Sequence, residues 1–151
     1  MAPVVRFAAR TDFSQWLPLW QRYNKFYGRF GATALPDAVT QATWTRFFDA
    51  DEPMHAMVAE DQGALVGLVH YLFHRSTISI APTCYLRDLF TAEAARGRGI
   101  GRALIEAVYA QARLAGLNRV YWRTQASNHT ARKLYDKMAD YPGFVVYSKD
   151  L

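Results

Sequence analysis

The chain has 151 residues, of which 51% are hydrophobic and 15% aromatic, and these values predict one globular domain over residues 1–151. The net charge of +5 suits an anionic partner, but the basic residues are spread along the chain, so a nucleic-acid binder is the least favoured function. No run approaches the ~18 apolar residues of a membrane helix, and residues 1–10 lack the apolar stretch of a signal peptide. We therefore expect a cytoplasmic location and neither a nucleic acid nor a membrane as partner.

The first third of the chain predicts a strand and two helices. Residues 4–8 form a short strand, and Thr11 or Asp12 then caps a helix that Gly28 ends. Apolar and aromatic residues recur in this helix at a spacing close to i, i+3, i+4 and i+7, which indicates one buried face. A second helix is predicted over residues 38–48.

A hairpin and a buried strand occupy the centre of the chain. Residues 54–60 and 64–74 are predicted strands on either side of a glycine-containing turn. Residues 83–91 form a mostly apolar strand, which is typical of burial on both faces. The only cysteine, Cys84, lies in this strand and is interpreted as a buried, inert thiol.

The second half predicts a charged, glycine-rich turn over residues 93–101 and a helix over residues 102–115. The remaining predicted elements are a strand, a short helix and a closing strand over residues 119–124, 128–138 and 144–149. Together these elements predict a mixed α/β domain with a strand-turn-helix unit near its centre.

The turn between the strand and the helix carries the clearest chemical signal. Its sequence, over residues 96–102, is Arg-Gly-Arg-Gly-Ile-Gly-Arg. Glycines allow the backbone to approach a phosphate closely, and the free amides of a first helical turn favour an anion. The arginines can add charge-assisted hydrogen bonds. The turn therefore predicts a diphosphate-binding site, with a ligand-free glycine turn as the simpler alternative.

Two common phosphate-binding motifs do not fit. A P-loop requires lysine and then serine or threonine after its last glycine, where this chain has Arg102 and Ala103. A dinucleotide fingerprint starting at Gly97 requires glycine at position 102, and no acidic residue lies about twenty positions further on to bind a ribose. Counted from Arg96, however, the run Arg-x-x-Gly-x-Gly resembles the pyrophosphate loop of the GCN5-related N-acetyltransferases (GNAT).

A second motif carries the same resemblance. Residues 120–124 are followed by Asn128, by Tyr135 seven residues later, and by the pair Gly143-Phe144. In this family, an asparagine contacts the cofactor and a tyrosine at that spacing faces the thioester sulfur. The resemblance extends from Tyr85 to Tyr147, and two ordered motifs are more specific than either alone.

The resemblance implies a single domain with a mixed, mostly antiparallel sheet flanked by helices, and acetyl-coenzyme A as cosubstrate without a metal. Backbone groups after position 88 would hold the pantetheine arm, the loop would hold the pyrophosphate, and a backbone amide near Leu89 or Phe90 would polarise the acetyl carbonyl. The implied cofactor-binding residues are Leu89, Phe90, Thr91, Arg96, Gly97, Arg98, Gly99, Ile100, Gly101, Arg102 and Asn128.

The resemblance also suggests catalytic residues. Tyr135 is the candidate general acid for the departing thiolate, with a packing tyrosine as the alternative. Asp88 is the candidate general base, with a structural role in the core as the alternative. Glu60 and His70 are weaker candidates, and a chain of water molecules could replace all three.

The acceptor is the least determined part of the prediction. Tyr23 and Tyr27 belong to the aromatic stripe of the first helix, for which core packing is the simpler interpretation. The first helices of the family often line the acceptor cleft, so both tyrosines are also candidate substrate contacts. The later motifs look closest to the branch of the yeast histone and polyamine acetyltransferases, but Arg87 would repel a polyamine.

The predicted function is acetyl transfer from acetyl-coenzyme A to a primary amine by direct attack. Amino acids, small amines, an antibiotic, and a protein N-terminus or lysine remain open as acceptors. The alternative is a non-catalytic coenzyme A-sensing or partner-binding module of the same fold. A homodimer is possible, because dimers are common among members of this family.

Overall fold

A five-stranded sheet organises the protein, for which a computed structural model describes residues 2–151. The strands are β1 (Val4–Phe7), β2 (Met54–Asp61), β3 (Ala64–His74), β4 (Thr83–Thr91) and β5 (Val120–Tyr121). They lie side by side in chain order; the pairings from β1 to β4 are antiparallel, and β5 joins β4 in parallel. The mixed, mostly antiparallel sheet implied by the resemblance is therefore confirmed.

The helices are α1 (Phe13–Phe26), α2 (Asp37–Arg46), α3 (Ile100–Leu114) and α4 (His129–Met138). Helices α1 and α2 pack on one face of the sheet, and α3 packs on the other, where α4 adds partly buried side chains. Within residues 2–151, no helix combines the length and apolarity needed to cross a membrane.

The two faces are covered by different kinds of side chain. Successive strand residues point to opposite faces, so Met57 and Val69 contact α3 while their neighbours Val58 and Leu68 contact α1. The α3 face is mainly aliphatic. The α1 face is mainly aromatic and includes Trp16, Trp20, Tyr23, Trp44 and Phe90.

The free Cys84 is fully buried in the α3 face, as expected from its apolar surroundings in the sequence. Burial raises the pKa of its thiol to about 12, because the thiolate is disfavoured away from water. The thiol is therefore protonated and unreactive at neutral pH.

Strand β4 is irregular where it passes the centre of the sheet. Asp88 pairs with His70, but the next pair along is Leu86 with Tyr71, so Arg87 is an extra residue in a β-bulge. On its other side, β4 pairs with β5 only through Cys84 and Tyr85. The two parallel strands therefore separate beyond Tyr85.

Two strand predictions near the C-terminus differ from the structure. The strand expected over residues 119–124 is only two residues long, and the closing strand expected over residues 144–149 is wrong, because residues 139–151 contain no regular element. In that segment Phe144, Val145, Val146 and Tyr147 are 61–93% exposed. Their composition favours a strand, but a strand forms only where a neighbouring backbone pairs with it, and this segment has no such pairing among residues 2–151.

Helix boundaries also shift by a few residues. Helix α3 begins at Ile100 instead of 102, so the last part of the glycine turn belongs to its first turn. Helix α2 ends at Arg46 instead of 48, and α4 begins at His129 with Asn128 as its N-cap. The other predicted elements are confirmed to within a few residues.

Candidate active site

The glycine turn and the start of α3 form a concentration of backbone donors. Gly97 and Gly99 have φ angles of +80° and +77°, which side-chain-bearing residues rarely adopt. The first i to i−4 bond of α3 joins the Ala103 amide to the Gly99 carbonyl at 3.0 Å. The amides of Ile100 and Gly101 precede that bond and have no side-chain cap. They are therefore available to an anion at the positive end of the helix dipole.

The three loop arginines have different hydrogen-bond partners. Arg98 contacts Asp61 at 2.8 Å and Arg102 contacts Glu106 at 3.0 Å, both as exposed pairs. Arg96 instead donates from Nε to the carbonyl of Thr91 at 3.2 Å, which joins the loop to the end of β4. Exposed ion pairs contribute only about 0–1 kcal/mol, so a phosphate can displace them at little cost.

A close approach between β3 and α3 places the loop against the sheet. A Cβ at Gly67 would lie 3.1 Å from Leu104 Cδ1, 3.1 Å from the Phe90 carbonyl oxygen and 3.2 Å from Ile100 Cγ2. Only glycine fits this contact without a shift of its neighbours. Gly67 is not among the site residues predicted from the sequence, although an isolated glycine inside a strand pattern is a signal of close backbone approach.

The separation of β4 from β5 leaves one edge of β4 open next to the loop. Leu89, Phe90 and Thr91 pair with β3 on one side only, because the β5 pairing ends at Tyr85. An exposed strand edge can pair with an extended chain that carries amide groups. The open edge and the anion-binding turn therefore fit a linear ligand that ends in a diphosphate, which is the form of coenzyme A.

A series of buried, hydrogen-bonded side chains lies on the α1 face of the sheet, beside β4. The Trp16 indole Nε1 donates to His70 Nε2 at 3.0 Å, and His70 Nδ1 contacts Asp88 Oδ2 at 2.9 Å. Indole nitrogen is only a donor, so Nε2 accepts and the ring proton is on Nδ1, which donates to Asp88. The three residues are 0%, 2% and 8% exposed. Because both ring nitrogens are hydrogen-bonded, His70 positions Asp88 and does not act as a separate base.

Asp88 is ionised in this environment. Burial is the largest single influence and would raise the pKa of its carboxyl, but the interactions with His70, Tyr23 and Arg87 together outweigh burial and lower the pKa below the ordinary value. On the same face, burial and then the charge of Asp88 raise the pKa of the Tyr23 phenol. Tyr23 therefore keeps its proton beside a buried carboxylate.

Tyr27 and Tyr135 connect this face to α4. Burial and then the charge of Asp88 raise the pKa of Tyr27. Burial, followed by the neighbouring Tyr27, raises the pKa of Tyr135 to about 12. The Tyr135 ring also makes an edge contact with Trp122 at a centroid distance of 5.4 Å. The end of α1 and the middle of α4 thus come together at Tyr27 and Tyr135.

Two sequence candidates have local partners elsewhere. Asn128 caps α4: its Oδ1 accepts from the Ala131 amide at 3.5 Å, and its Nδ2 donates to Thr124 Oγ1 at 3.3 Å. Glu60 accepts a hydrogen bond from Arg6 Nε at 3.1 Å at the β1 side of the sheet. Neither belongs to the group of residues around Asp88.

The residues that sequence reasoning missed are those whose roles require distant partners. Trp16 was identified only as part of an apolar helix face, although its indole nitrogen hydrogen-bonds His70, 54 positions away. Arg29 follows the glycine that ends α1 and lies against the rings of Tyr23 and Tyr27. Among residues 2–151, no three histidine, cysteine or acidic residues come together as a metal site would require.

Comparisons with known proteins agree with this geometry. Residues 15–141 match the profile of the Acetyltransferase (GNAT) family. The D-amino-acid N-acetyltransferase HPA3 of Saccharomyces cerevisiae is 35% identical over 149 residues, which cover 97% of this chain and 90% of HPA3. The uncharacterized N-acetyltransferase YhfO of Bacillus subtilis is 27% identical over 145 residues, which cover 95% of this chain and 94% of YhfO.

A solved structure shares the fold at lower identity. The structure of AAC(6')-Iy in complex with the bisubstrate analog CoA-S-monomethyl-acetylneamine superposes with a TM-score of 0.84 and 17% identity, covering 100% of this chain and 99% of that chain. The family match and the named N-acetyltransferase relative favour an enzyme over the non-catalytic alternative. This chain belongs to the GNAT family and is an acetyl-coenzyme A-dependent N-acetyltransferase.

Proposed function

We propose that the protein transfers an acetyl group to the primary amine of a small molecule by direct attack of the neutral amine. The observation that carries this proposal is the buried carboxylate of Asp88 beside Tyr23 and Tyr27, whose ring centres are 5.0 Å apart, with Tyr135 next to Tyr27. This grouping lies beside the strand whose open edge leads to the glycine turn. Proton-handling groups and an anion-binding turn are therefore within reach of one linear ligand.

Acetyl-coenzyme A supplies an activated acetyl thioester when it is bound. We assign its pyrophosphate to residues 96–102, where the α3 amides and the arginines provide donors. The β4 edge over residues 89–91 would hold the pantetheine arm by backbone pairing. Asn128 would contribute indirectly, because its side chain caps α4 and thereby holds the helix that carries Tyr135.

Tyr135 is proposed as the group that protonates the departing sulfur. Its pKa of about 12 means that the phenol remains protonated across the neutral range and has a proton to give. A second candidate, Asp88, would receive a proton from the acceptor amine. Because the Tyr23 phenol hydrogen-bonds to the buried Asp88 carboxylate and responds to its charge, it is the group through which the proton would pass.

The acceptor that we propose to test first is an amino acid. HPA3, the 35% identical yeast relative, is named as a D-amino-acid N-acetyltransferase. The cationic Arg87 on the β4 bulge, whose charge acts on Tyr23, also favours an acceptor that carries a carboxylate over a polyamine.

A thiol-release assay tests the proposed reaction. The purified protein and acetyl-coenzyme A are combined with D- and L-amino acids, amino-acid amides, polyamines, aminoglycosides and lysine peptides. We expect amine-dependent thiol release with small primary amines, and mass spectrometry should detect a product heavier by one acetyl group. Tight cofactor binding by calorimetry without transfer to any amine would instead favour the coenzyme A-sensing module.

A homodimer remains part of the proposal. The exposed apolar residues 144–147 form the kind of surface that partner subunits cover. Light scattering on the intact chain and on a variant with Val145→Lys and Val146→Lys tests this. We expect a dimer that becomes a monomer in the variant, whereas a monomer in both would contradict it. The cytoplasmic location and the single domain over residues 1–151 stay predictions.

A further inference from the structure

Arg29 is held in place at the end of α1 by a buried scaffold. Its Nε donates to Asn24 Oδ1 at 2.6 Å, and its amide donates to the Asn24 carbonyl at 2.9 Å. Asn24 is only 4% exposed, and its Nδ2 donates to the Trp20 carbonyl at 2.8 Å. The guanidinium is therefore fixed by a residue that the core itself positions.

The guanidinium lies over the rings of Tyr23 and Tyr27, the two candidate substrate contacts. Its Cζ is 5.5 Å from the centre of the Tyr27 ring and 5.9 Å from that of Tyr23, both within cation-π range. Its Nε donates to Asn24, whereas the two terminal nitrogens make no hydrogen bond to a residue within 2–151. Within residues 2–151, no acidic side chain lies within 4.0 Å of this arginine.

Tyr27 is close enough to both Arg29 and Asp88 to respond to their charges. The charge of Asp88 raises the pKa of Tyr27, while the charge of Arg29 lowers it, so both charges act at one ring. A positive group and a negative group near the same ring complement a molecule that carries a carboxylate and an amine. An α-amino acid has this charge pattern.

We propose that Arg29 binds the carboxylate of an amino-acid acceptor and thereby directs its amine towards Tyr135 and Asp88. This specificity role rests on the proposed acetyl transfer and adds a requirement for a carboxylate on the acceptor. The fork of terminal nitrogens is suited to two parallel hydrogen bonds with a carboxylate. Asn24 reduces the entropy lost on binding, because the side chain is already ordered.

The test compares an amino acid with its amide, which retains the amine and lacks the carboxylate charge. For the wild type, kcat/KM should be at least about tenfold higher with the acid, which is the effect of one charge-assisted hydrogen bond. Arg29→Gln should lower kcat/KM for the acid by about tenfold or more and leave the amide within about twofold. Arg22→Gln replaces an exposed arginine of α1, the helix that precedes Arg29; this variant is the matched control and should change neither value.

Each outcome bears on the proposal. Equal use of acid and amide by the wild type, or equal loss of both in Arg29→Gln, would overturn it. If Arg87→Gln removes the preference and Arg29→Gln does not, the carboxylate is bound on the β4 bulge and the assignment is also wrong.

Acetyl-coenzyme A affinity, measured by calorimetry on each variant, separates misfolding from lost acceptor binding. Transfer to the amide alone would leave the acetyltransferase reaction standing, whereas no transfer to any amine would refute the proposed function instead.

Discussion

The two faces of the sheet bury their residues by different means. The α3 face is closed mainly by aliphatic residues such as Val69, Leu104 and Val108, and such a core requires only shape and volume. The α1 face is closed by aromatic rings and also buries the polar side chains of His70 and Asp88.

This difference indicates where the chemistry lies. Burying a charge is costly unless hydrogen bonds compensate, and an apolar pair at the same place would stabilise the fold at least as well. A carboxylate kept ionised inside an aromatic core is therefore better explained by catalysis than by stability. The α3 face, in contrast, supports the helix whose N-terminus is the proposed cofactor site. Cofactor binding and acceptor chemistry should consequently respond separately to substitution.

The largest expected effect is on the cofactor side. Gly99→Glu puts an anion beside the proposed phosphate site, and it should weaken acetyl-coenzyme A binding at least about 1,000-fold by losing charge-assisted hydrogen bonds. Calorimetry measures the affinity. Gly63→Glu is the matched control, because Gly63 also has a positive φ, of +83°, and open space around its Cβ. Equal affinity in both variants would contradict the assigned pyrophosphate site.

On the acceptor side, Asp88→Asn should lower kcat about 100-fold, at the lower end of the effect of a general base. The affinity for acetyl-coenzyme A should not change. Asp12→Asn is the control, since Asp12 is a similarly buried carboxylate that pairs with Arg6 at 2.7 Å outside this group. Steady-state kinetics with both variants checks this. An unchanged kcat in Asp88→Asn would mean that Asp88 has a structural role and is not the general base.

A smaller effect is expected for Tyr135→Phe. A coenzyme A thiolate is a good leaving group, so the loss of a general acid should reduce kcat only about tenfold. The pKa of about 12 places deprotonation of Tyr135 above the assay range, so the phenol keeps its proton as pH rises from 7 to 10. The ratio of wild-type to variant kcat should therefore be constant over that range.

Tyr109→Phe is the control for this tyrosine, because it removes a hydroxyl that donates to the Met138 carbonyl at 2.9 Å. It should leave kcat unchanged. A ratio that falls between pH 7 and 10 for Tyr135→Phe would mean that the phenol titrates there and that the assigned proton donor is wrong.

The smallest expected effect is on stability. Gly67→Ala should destabilise the fold by about 1–3 kcal/mol, because the added methyl would press against α3 and the β4 backbone. Gly101→Ala should be close to neutral, since its Cβ would lie 3.5 Å from Leu134 at ordinary contact distance. Urea unfolding of both variants without cofactor measures the difference. Equal stability would mean that β3 and α3 pack less tightly at Gly67 than the structure indicates.

Much of the fold could be predicted from the sequence because its signals are local. The alternation in the hairpin, the apolar periodicity of α1 and the glycines of the turn each act over a few residues. The prediction of a closing strand was wrong because strand formation also depends on a non-local partner. Residues 144–149 have strand composition, but pairing depends on a partner that the sequence does not specify.

The candidate site also combines features set by local sequence with features set by tertiary contacts. The sequence by itself determined a glycine turn before a helix, with amides suited to an anion, because positive φ angles at Gly97 and Gly99 and free amides at a helix start are local properties. Only the tertiary structure decided that Asp88 is ionised and held by His70. That state depends on Trp16, whose indole fixes the histidine proton from 54 positions away, and no local pattern encodes such a hydrogen bond.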